Sequence, residues 1–317
     1  MTYKKQLTIL LSIIGALCLI YILSMVFDPE RVGSRSAAYT WLDSKLINQI
    51  DRISISSARE TNLLVRKNNE WFVAHNGKEY PARQLRVDDF IGIFTKRAPY
   101  PLRSSSPSSH ERLGLAEETA ARITISGGAG LPLLDILVGL TDTTGRDVYL
   151  RRQGQNEVRS GENKFNAYIS GARSSWYNLR LFPESEDAKL DVDGVQRLTV
   201  HTAGAEPQVF TRWNREWTFS GLSITDPDMG KVDAYIRGIL NTEGDDFDET
   251  VSPADPMFDH SRLTLELGNG SVRTLRLSAP GEDNRRYALV SGSDYVYSLA
   301  GWAAERLFKT AADFEKQ

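Results

Sequence analysis

The side chains that most often catalyse reactions or bind metal ions are scattered along this sequence. Its four histidines, His75, His110, His201 and His260, lie far apart, in no spacing that would put two of them in a metal site or on one helix face. The one cysteine, Cys18, lies inside an apolar run, where a small apolar filler is the expected role. Histidine and thiol chemistry are therefore not predicted.

Carboxylates are the next candidates, because paired acids act as general acid and base and larger groups bind calcium. The acidic run DDFDE at residues 245–249 could in principle bind calcium, but it departs from the twelve-residue EF-hand pattern. Asp226 and Asp228 are better explained as charges that complement a helix N-terminus than as an acid–base pair. The GGAG at residues 127–130 lacks the spacing of a phosphate or dinucleotide loop. We therefore expect no catalytic residue, no metal and no cofactor.

The charge balance argues against a nucleic-acid partner. The chain of 317 residues has 38 Lys and Arg against 41 Asp and Glu, a formal net charge of -3. Binding to phosphate backbones draws on clustered cations, and no basic stripe is present. The composition, 41% hydrophobic and 25% charged, is that of a folded protein long enough for two domains.

One short motif occurs twice, as RKNNEW at residues 66–71 and as RWNREW at residues 212–217. A two-residue turn at its centre would place the arginine opposite the tryptophan on neighbouring strands. The guanidinium would then lie against the indole near the turn, and both rings are in phase with apolar neighbours. The alternative is that Trp71 and Trp217 are exposed platforms for a sugar or another ligand. The shared motif residues are Arg66, Asn68, Glu70, Trp71, Arg212, Asn214, Glu216 and Trp217.

Further matches follow in the same order along the chain. RISI at 52–55 resembles RLTV at 197–200, VDDFI at 87–91 resembles VDAYI at 232–236, and RITI at 122–125 resembles RLTL at 262–265. The Leu-Phe pairs at 181–182 and 307–308 complete the series. A constant order of matches predicts an internal duplication.

Each half contains one amphipathic helix among segments with the period-two alternation of strands. The order strand, hairpin, helix and further strands predicts an α+β fold of mostly antiparallel sheet, with the helix of each domain packed on it. For the second helix we expect Thr225 or Asp226 as the cap. The apolar positions at helical spacing are Val87, Phe90, Ile91 and Phe94 in the first helix and Val232, Tyr235, Ile236 and Ile239 in the second.

The N-terminal region predicts a membrane anchor. Residues 7–27 contain no charge and no proline, and as a helix they would span about 31 Å, enough for a bilayer core. Lys4 and Lys5 precede this run, so the positive-inside rule puts the N-terminus in the cytoplasm and the bulk of the chain outside the cytoplasmic (inner) membrane. The predicted organisation is an anchor at 1–27, a juxtamembrane linker at 28–49, and two similar α+β domains at 50–185 and 186–317.

The two halves differ most in the loop that follows the helix. Residues 96–115 are basic and rich in Ser and Pro, whereas residues 241–260 are strongly acidic. Long loops that diverge on a shared scaffold are where specificity tends to lie. The other interpretation is that both are solvated connectors.

The repeated hairpin, the Val-Asp-x-aromatic-Ile helices, the RLGL at 112–115 before a strand and the single N-terminal anchor resemble the bacterial domain-of-unknown-function family 4340. The second half lacks the Gly-Leu before its RLTL. The resemblance implies an envelope protein that is often encoded beside ABC transporter components of the gliding-motility type. It implies no established activity and supplies no catalytic residues.

Two functions remain open from the sequence. The first is a noncatalytic, membrane-anchored accessory or scaffold protein that binds a protein partner outside the cytoplasmic membrane, with subunits of an ABC transporter complex as the partner. The second is an envelope glycan-binding module or hydrolase, in which Trp71 or Trp217 would be a platform.

Overall fold

The computed structural model describes residues 14, 17, 38–183, 190–221, 224 and 227–316. The predicted anchor lies outside these residues except for Ile14 and Leu17. Among the described residues, no helix has both the length and the apolar character that crossing a bilayer requires. The chain divides into two compact units, Met1–Trp176 and Tyr177–Gln317.

The first unit contains a nine-stranded antiparallel sheet, one long helix and one short helix. The strands are β1 (Ala38–Tyr39), β2 (Ile50–Ser56), β3 (Thr61–Lys67), β4 (Glu70–His75), β5 (Lys78–Pro81), β6 (Ala98–Pro99), β7 (Leu102–Ser104), β8 (Ala121–Gly127), β9 (Pro132–Thr141), β10 (Asp147–Arg152) and β11 (Val158–Glu162), and the helices are α1 (Gln84–Thr95) and α2 (Asn166–Ile169). The sheet order is β5-β4-β3-β2-β8-β9-β10-β11-β7, while β1 and β6 pair separately.

The second unit contains an eight-stranded antiparallel sheet in the order β14-β13-β12-β16-β17-β18-β19-β15. Its elements are β12 (Val195–Thr202), β13 (Gln208–Trp213), β14 (Glu216–Ser220), α3 (Met229–Leu240), β15 (Asp246–Asp248), β16 (Ser261–Leu267), β17 (Val272–Leu277), β18 (Arg286–Val290), β19 (Val296–Leu299) and α4 (Gly301–Glu305). Both units thus have the α+β architecture with antiparallel sheets that the sequence predicts.

The long helix of each unit covers the strand that carries the repeated tryptophan: α1 contacts β4, and α3 contacts β14. All eight residues at the predicted helical spacing are buried. Phe90 and Phe94 meet edge to face at 5.2 Å, and Phe90 meets Trp176 at 5.5 Å. Burial of apolar surface stabilises a fold by about 25 cal/mol per Å². This burial holds each helix on its sheet.

The start of the second helix differs in detail from the prediction. Asp228 is the cap, and its carboxylate accepts hydrogen bonds from the backbone N–H groups of Gly230 (2.9 Å) and Lys231 (3.2 Å). Thr225 and Asp226 lie outside the described residues. The carboxylate at 228 is therefore a helix cap, the structural role expected of acids in this segment.

The first unit begins before residue 50. Part of the stretch assigned to a juxtamembrane linker, 28–49, is folded from Ala38 onward. Trp41 and Leu42 are buried, and their backbone N–H groups donate to the carbonyl of Phe94 at 3.1 and 3.0 Å. The backbone of Trp41 and Leu42 therefore ties this segment to the end of α1, and both side chains are part of the core of the first unit.

The two units divide between Trp176 and Tyr177, ahead of the boundary predicted between 185 and 186. The helical turn at Arg173–Trp176 ends there, and the chain then becomes extended. The backbone of Leu179 accepts from Gly244 at 2.8 Å, and Leu181 donates to Thr242 at 3.0 Å. Residues just after Trp176 are therefore held by the second unit.

Each sheet also has a small apolar cluster on the face away from its long helix. Leu137 follows Ile136 in β9, so the two side chains point to opposite faces. Leu115, Leu137 and Val158 form the cluster in the first unit. In the second unit, Phe258 packs with Leu289 and Val296. The two long loops therefore end in a buried anchor, Leu115 or Phe258, so neither loop is only a solvated connector.

Candidate binding grooves

The repeated motif forms the same hairpin in both units. Asn68 and Asn69 have φ of 50° and 68°, and Asn214 and Arg215 have φ of 51° and 69°. Two consecutive residues with positive φ make the type I′ turn that matches the twist of a hairpin. The resulting register pairs arginine with tryptophan in each unit, as the sequence indicated.

The arginine of each pair lies over the indole. The guanidinium carbon of Arg66 is 5.9 Å from the ring centre of Trp71, and that of Arg212 is 5.6 Å from Trp217. Both indoles are only 3% exposed. A ring with so little accessible surface offers no face to a sugar, so Trp71 and Trp217 are not platforms.

The two units tie this tryptophan to the helix in different ways. In the first unit, the amide of Gln84 pairs with the backbone of Trp71, accepting from its N–H at 2.9 Å and donating to its carbonyl at 3.0 Å. In the second unit, the indole N–H of Trp217 donates to Asp233 at 2.9 Å. These bonds join hairpin and helix, so the motif residues build the scaffold.

The second unit has a groove along the outward face of α3. Its volume is about 660 Å³, within the range of ligand pockets. The floor is apolar, from Tyr235, Ala303 and Phe314, and Trp302 at its side is 59% exposed. The remaining lining residues are Lys231, Ala234, Gly238, Asn241, Thr242, Glu243, Arg306, Lys309 and Asp313.

Cations are prominent at the edge of this groove. The ammonium of Lys231 donates to the backbone carbonyl of Glu315 at 2.8 Å, and the guanidinium of Arg306 lies 4.8 Å from the ring centre of Trp302. Lys309 is paired with Asp313 at 3.3 Å. Among the described residues, no carboxylate forms an ion pair with Lys231 or Arg306.

The ionisable oxygens in this groove have structural partners. The backbone N–H of Thr310 donates to Asp313 at 2.8 Å and holds the pKa of that carboxyl below its ordinary value. Burial raises the pKa of Tyr235, whose hydroxyl donates to the backbone carbonyl of Leu307 at 2.7 Å. Both oxygens therefore form hydrogen bonds within the protein.

The first unit has a groove of about 640 Å³ along the corresponding face of α1. Counting from Val87 and Val232, Ile93 corresponds to Gly238 inside the helices, and Lys96 corresponds to Asn241 at their C-caps. The charged lining residues here are Asp89, Asp147 and Glu162 with Lys96 and Lys164. The first groove thus has one more acid than base, whereas the second has one more base than acid.

The loops singled out in the sequence begin at these grooves. Ala98, Pro99, Tyr100 and Pro101 line the first groove, and residues 241–243 line the second. The acidic run continues into β15, an edge strand, where Asp248 accepts from the N–H groups of Thr250 and Val251. That carboxylate caps a turn.

The histidines lie in separate places. His75 approaches Arg173 at 3.1 Å, and His110 approaches the backbone carbonyl of Asn156 at 3.2 Å. The side chain of His260 is 2.9 Å from the Ser261 hydroxyl. Within the described ranges, no group of three or more His, Cys, Asp or Glu could hold a metal ion.

Sequence reasoning missed the two exposed indoles and the helix glycine. Trp213 is 74% exposed beside the hairpin turn, and Trp302 is exposed beside the second groove. Gly238 was visible as a glycine inside a helical pattern, where glycine costs stability relative to alanine. No periodic signal marked Trp302, because the short α4 spans little more than one turn.

A protein-family model matches more than half of the chain. No curated protein matches the chain. The family described as Domain of unknown function (DUF4340) matches residues 71–257, which cover more than half of the sequence and include the two hairpin tryptophans and both long helices. The chain therefore belongs to the DUF4340 family.

Proposed function

We propose that this chain is a noncatalytic scaffold of two divergent copies of one α+β domain, anchored by an N-terminal helix in the cytoplasmic membrane. Outside that membrane the two domains hold a protein partner, and subunits of an ABC transporter complex are the first partner to test. The carrying observation is that both units have an open groove on the same face of the corresponding helix.

Duplication is supported by the strand orders. The series β4-β3-β2-β8-β9-β10-β11-β7 in the first sheet corresponds, strand for strand, to β14-β13-β12-β16-β17-β18-β19-β15 in the second. Each series also carries the same turn conformation and the same arginine–tryptophan contact. One extra edge strand, β5, distinguishes the first sheet.

Partner binding is supported by the lining of the grooves. A helix that buries one face in its own core normally exposes a polar, convex face to water. Here that face borders a concavity with an apolar floor and, in the second unit, an exposed tryptophan and arginine. Those two residue types are enriched among the residues that contribute most to protein interfaces.

The test is recovery of the full chain from gently solubilised membranes after reversible cross-linking. We expect transporter subunits to co-purify at a fixed ratio to the chain. Recovery of the protein alone, from fully solubilised membranes, would contradict the scaffold. Its presence in the soluble fraction after cell breakage would contradict the anchor.

A second candidate, glycan binding, is favoured by one observation. Trp302 offers an exposed ring beside the polar side chains of Asn241 and Thr242. Exposed aromatic faces next to amides and hydroxyls suit sugar rings. Under this alternative, a peptidoglycan disaccharide–peptide would quench or shift the fluorescence of Trp302, and Trp302→Phe would abolish the signal.

A further inference from the structure

We infer that the groove of the second unit binds a short acidic segment of the partner protein, one that carries an apolar side chain. The inference rests on the proposed scaffold function and specifies its site and the chemistry of the ligand. Three observations carry it: an open position in the middle of α3, an excess of cations around the groove, and an exposed indole beside an apolar floor.

The open position is Gly238. A Cβ added there would have no atom within 4 Å, so packing within the protein does not require glycine at this point. Glycine inside a helix is less stable than alanine at the same place. The first unit has Ile93 at the corresponding place. The missing side chain widens the groove at a cost to the helix, as expected if another molecule occupies that space.

The charges specify an acidic ligand. Lys231, Arg306 and Lys309 outnumber the two carboxylates of the lining, Asp313 and Glu243, although the whole chain has a net charge of -3. Asp313 already accepts bonds from the backbone and hydroxyl of Thr310. The guanidinium of Arg306 lies over the ring of Trp302, and its N–H donors can bind a carboxylate through two parallel hydrogen bonds.

The exposed indole specifies an apolar side chain within that acidic segment. Tyr235, Ala303 and Phe314 are each at most 7% exposed, so the indole of Trp302, which is 59% exposed, supplies the apolar surface that a ligand can cover. An inserted leucine or phenylalanine would cover the exposed indole, and burial of the two apolar surfaces would stabilise the complex. An acidic segment without such an anchor would be held by partly screened charges alone.

The first groove is an internal comparison. Its acids outnumber its bases, and its helix has Ile93 at the position that corresponds to Gly238. An acidic segment should therefore bind the second groove and not the first. This asymmetry distinguishes a specific site from attraction to any exposed cation.

The direct test uses the full chain in detergent and a synthetic ten-residue peptide with a central Leu-Phe pair flanked by Glu and Asp. Titration calorimetry is expected to detect one site per chain, with a peptide carrying Lys in place of the acids at least tenfold weaker. Gly238→Leu fills the groove and Arg306→Glu reverses its charge, so each should weaken binding of the acidic peptide at least tenfold. Gly238→Ala adds one methyl and should fall between wild type and Gly238→Leu.

The matched control is Arg97→Glu, the same charge change at an exposed arginine in the first unit. It should leave binding within about twofold of wild type. Thermal unfolding by circular dichroism checks that each variant is folded. If Gly238→Leu does not fold, Arg306→Glu, a substitution at the exposed surface, still tests the groove. Absence of acidic-peptide binding, equal binding of the basic peptide, or binding of the peptidoglycan fragment alone would overturn the inference.

Capture of the partner from membranes separates the two proposals. A partner recovered with wild type and lost with Gly238→Leu and Arg306→Glu supports both. A partner recovered equally with all three chains would leave the scaffold standing and refute this groove as its site. Recovery of no partner with wild type counts against the scaffold, and the peptide titration then decides the groove by itself.

Discussion

At the scale of single residues, the arginine of the repeated motif is held differently in the two units. Arg212 donates to the backbone carbonyl of Val192 at 2.7 Å and to Asp193 at 2.6 Å, and its side chain is only 12% exposed. Arg66 donates to Asn69 across the turn, at the solvent-exposed rim. The cation–π contact is common to both arginines. The hydrogen bonds of Arg212 to Val192 and Asp193 should therefore make its contribution to the free energy of unfolding the larger of the two.

Replacing each arginine by methionine should separate these contributions. Arg212→Met is expected to lower the free energy of unfolding by about 2–3 kcal/mol, because it removes a hydrogen bond and an ion pair from a mostly buried site. Arg66→Met should cost at most about 1 kcal/mol, the value of an exposed cation–π contact. Urea unfolding measures both variants. Equal losses of unfolding free energy in the two variants would show that each arginine stabilises the protein mainly through its contact with tryptophan.

At the scale of elements, one glycine decides how the RLGL segment sits on the first sheet. Gly114 has φ of +71°, and a Cβ there would lie 2.7 Å from the Cγ of Leu140. The N–H of Leu140 donates to the carbonyl of Leu113 at 2.9 Å, which brings the two segments together. This approach places Leu115 in the apolar cluster with Leu137 and Val158. The second unit places Phe258 in its cluster without a Gly-Leu pair.

Gly114→Ala and Gly145→Ala form a matched pair of substitutions. Gly145 has nearly the same φ, +72°, but nothing within 4 Å of an added Cβ. Gly145→Ala should cost about 1 kcal/mol from backbone strain alone. Gly114→Ala should cost about 1–3 kcal/mol more, from crowding against β9. Thermal or urea unfolding gives both values, and a Gly114→Ala no worse than Gly145→Ala would rule out the close approach.

At the scale of the whole molecule, the residues just after Trp176 form part of the fold of the second unit. Tyr177 meets Phe247 at 5.0 Å, and the backbone of residues 179 and 181 bonds to residues 242–244. Tyr177, Leu179 and Leu181 are all buried. The fold of the second unit therefore includes a segment that the duplication pattern had assigned to the end of the first domain.

A fragment that starts at residue 177 should be more stable than one that starts at residue 186. Loss of these side chains removes roughly 1.5–3 kcal/mol of burial each, a large part of the 5–15 kcal/mol typical of a domain. We expect a cooperative urea transition for 177–317 and a weak or absent one for 186–317. Similar midpoints for both fragments would mean that the segment adds little.

The sequence by itself determined the α+β class, the hairpin register and the buried stripe of each helix. Each of these depends on nearby residues: paired asparagines or Asn-Arg set the turn, and apolar spacing sets the buried face of the helix. The family resemblance also depended on such local motifs.

Only the tertiary structure decided where the first unit begins, which unit holds residues 177–182, and which tryptophans are exposed. Trp71 and Trp302 both stand beside apolar residues in the sequence, yet one is covered by α1 and the other borders a groove. Burial of a side chain depends on which distant segments pack over it, and no local spacing encodes that. The groove along α3 likewise exists only because residues from 302 to 314 fold back beside Gly238.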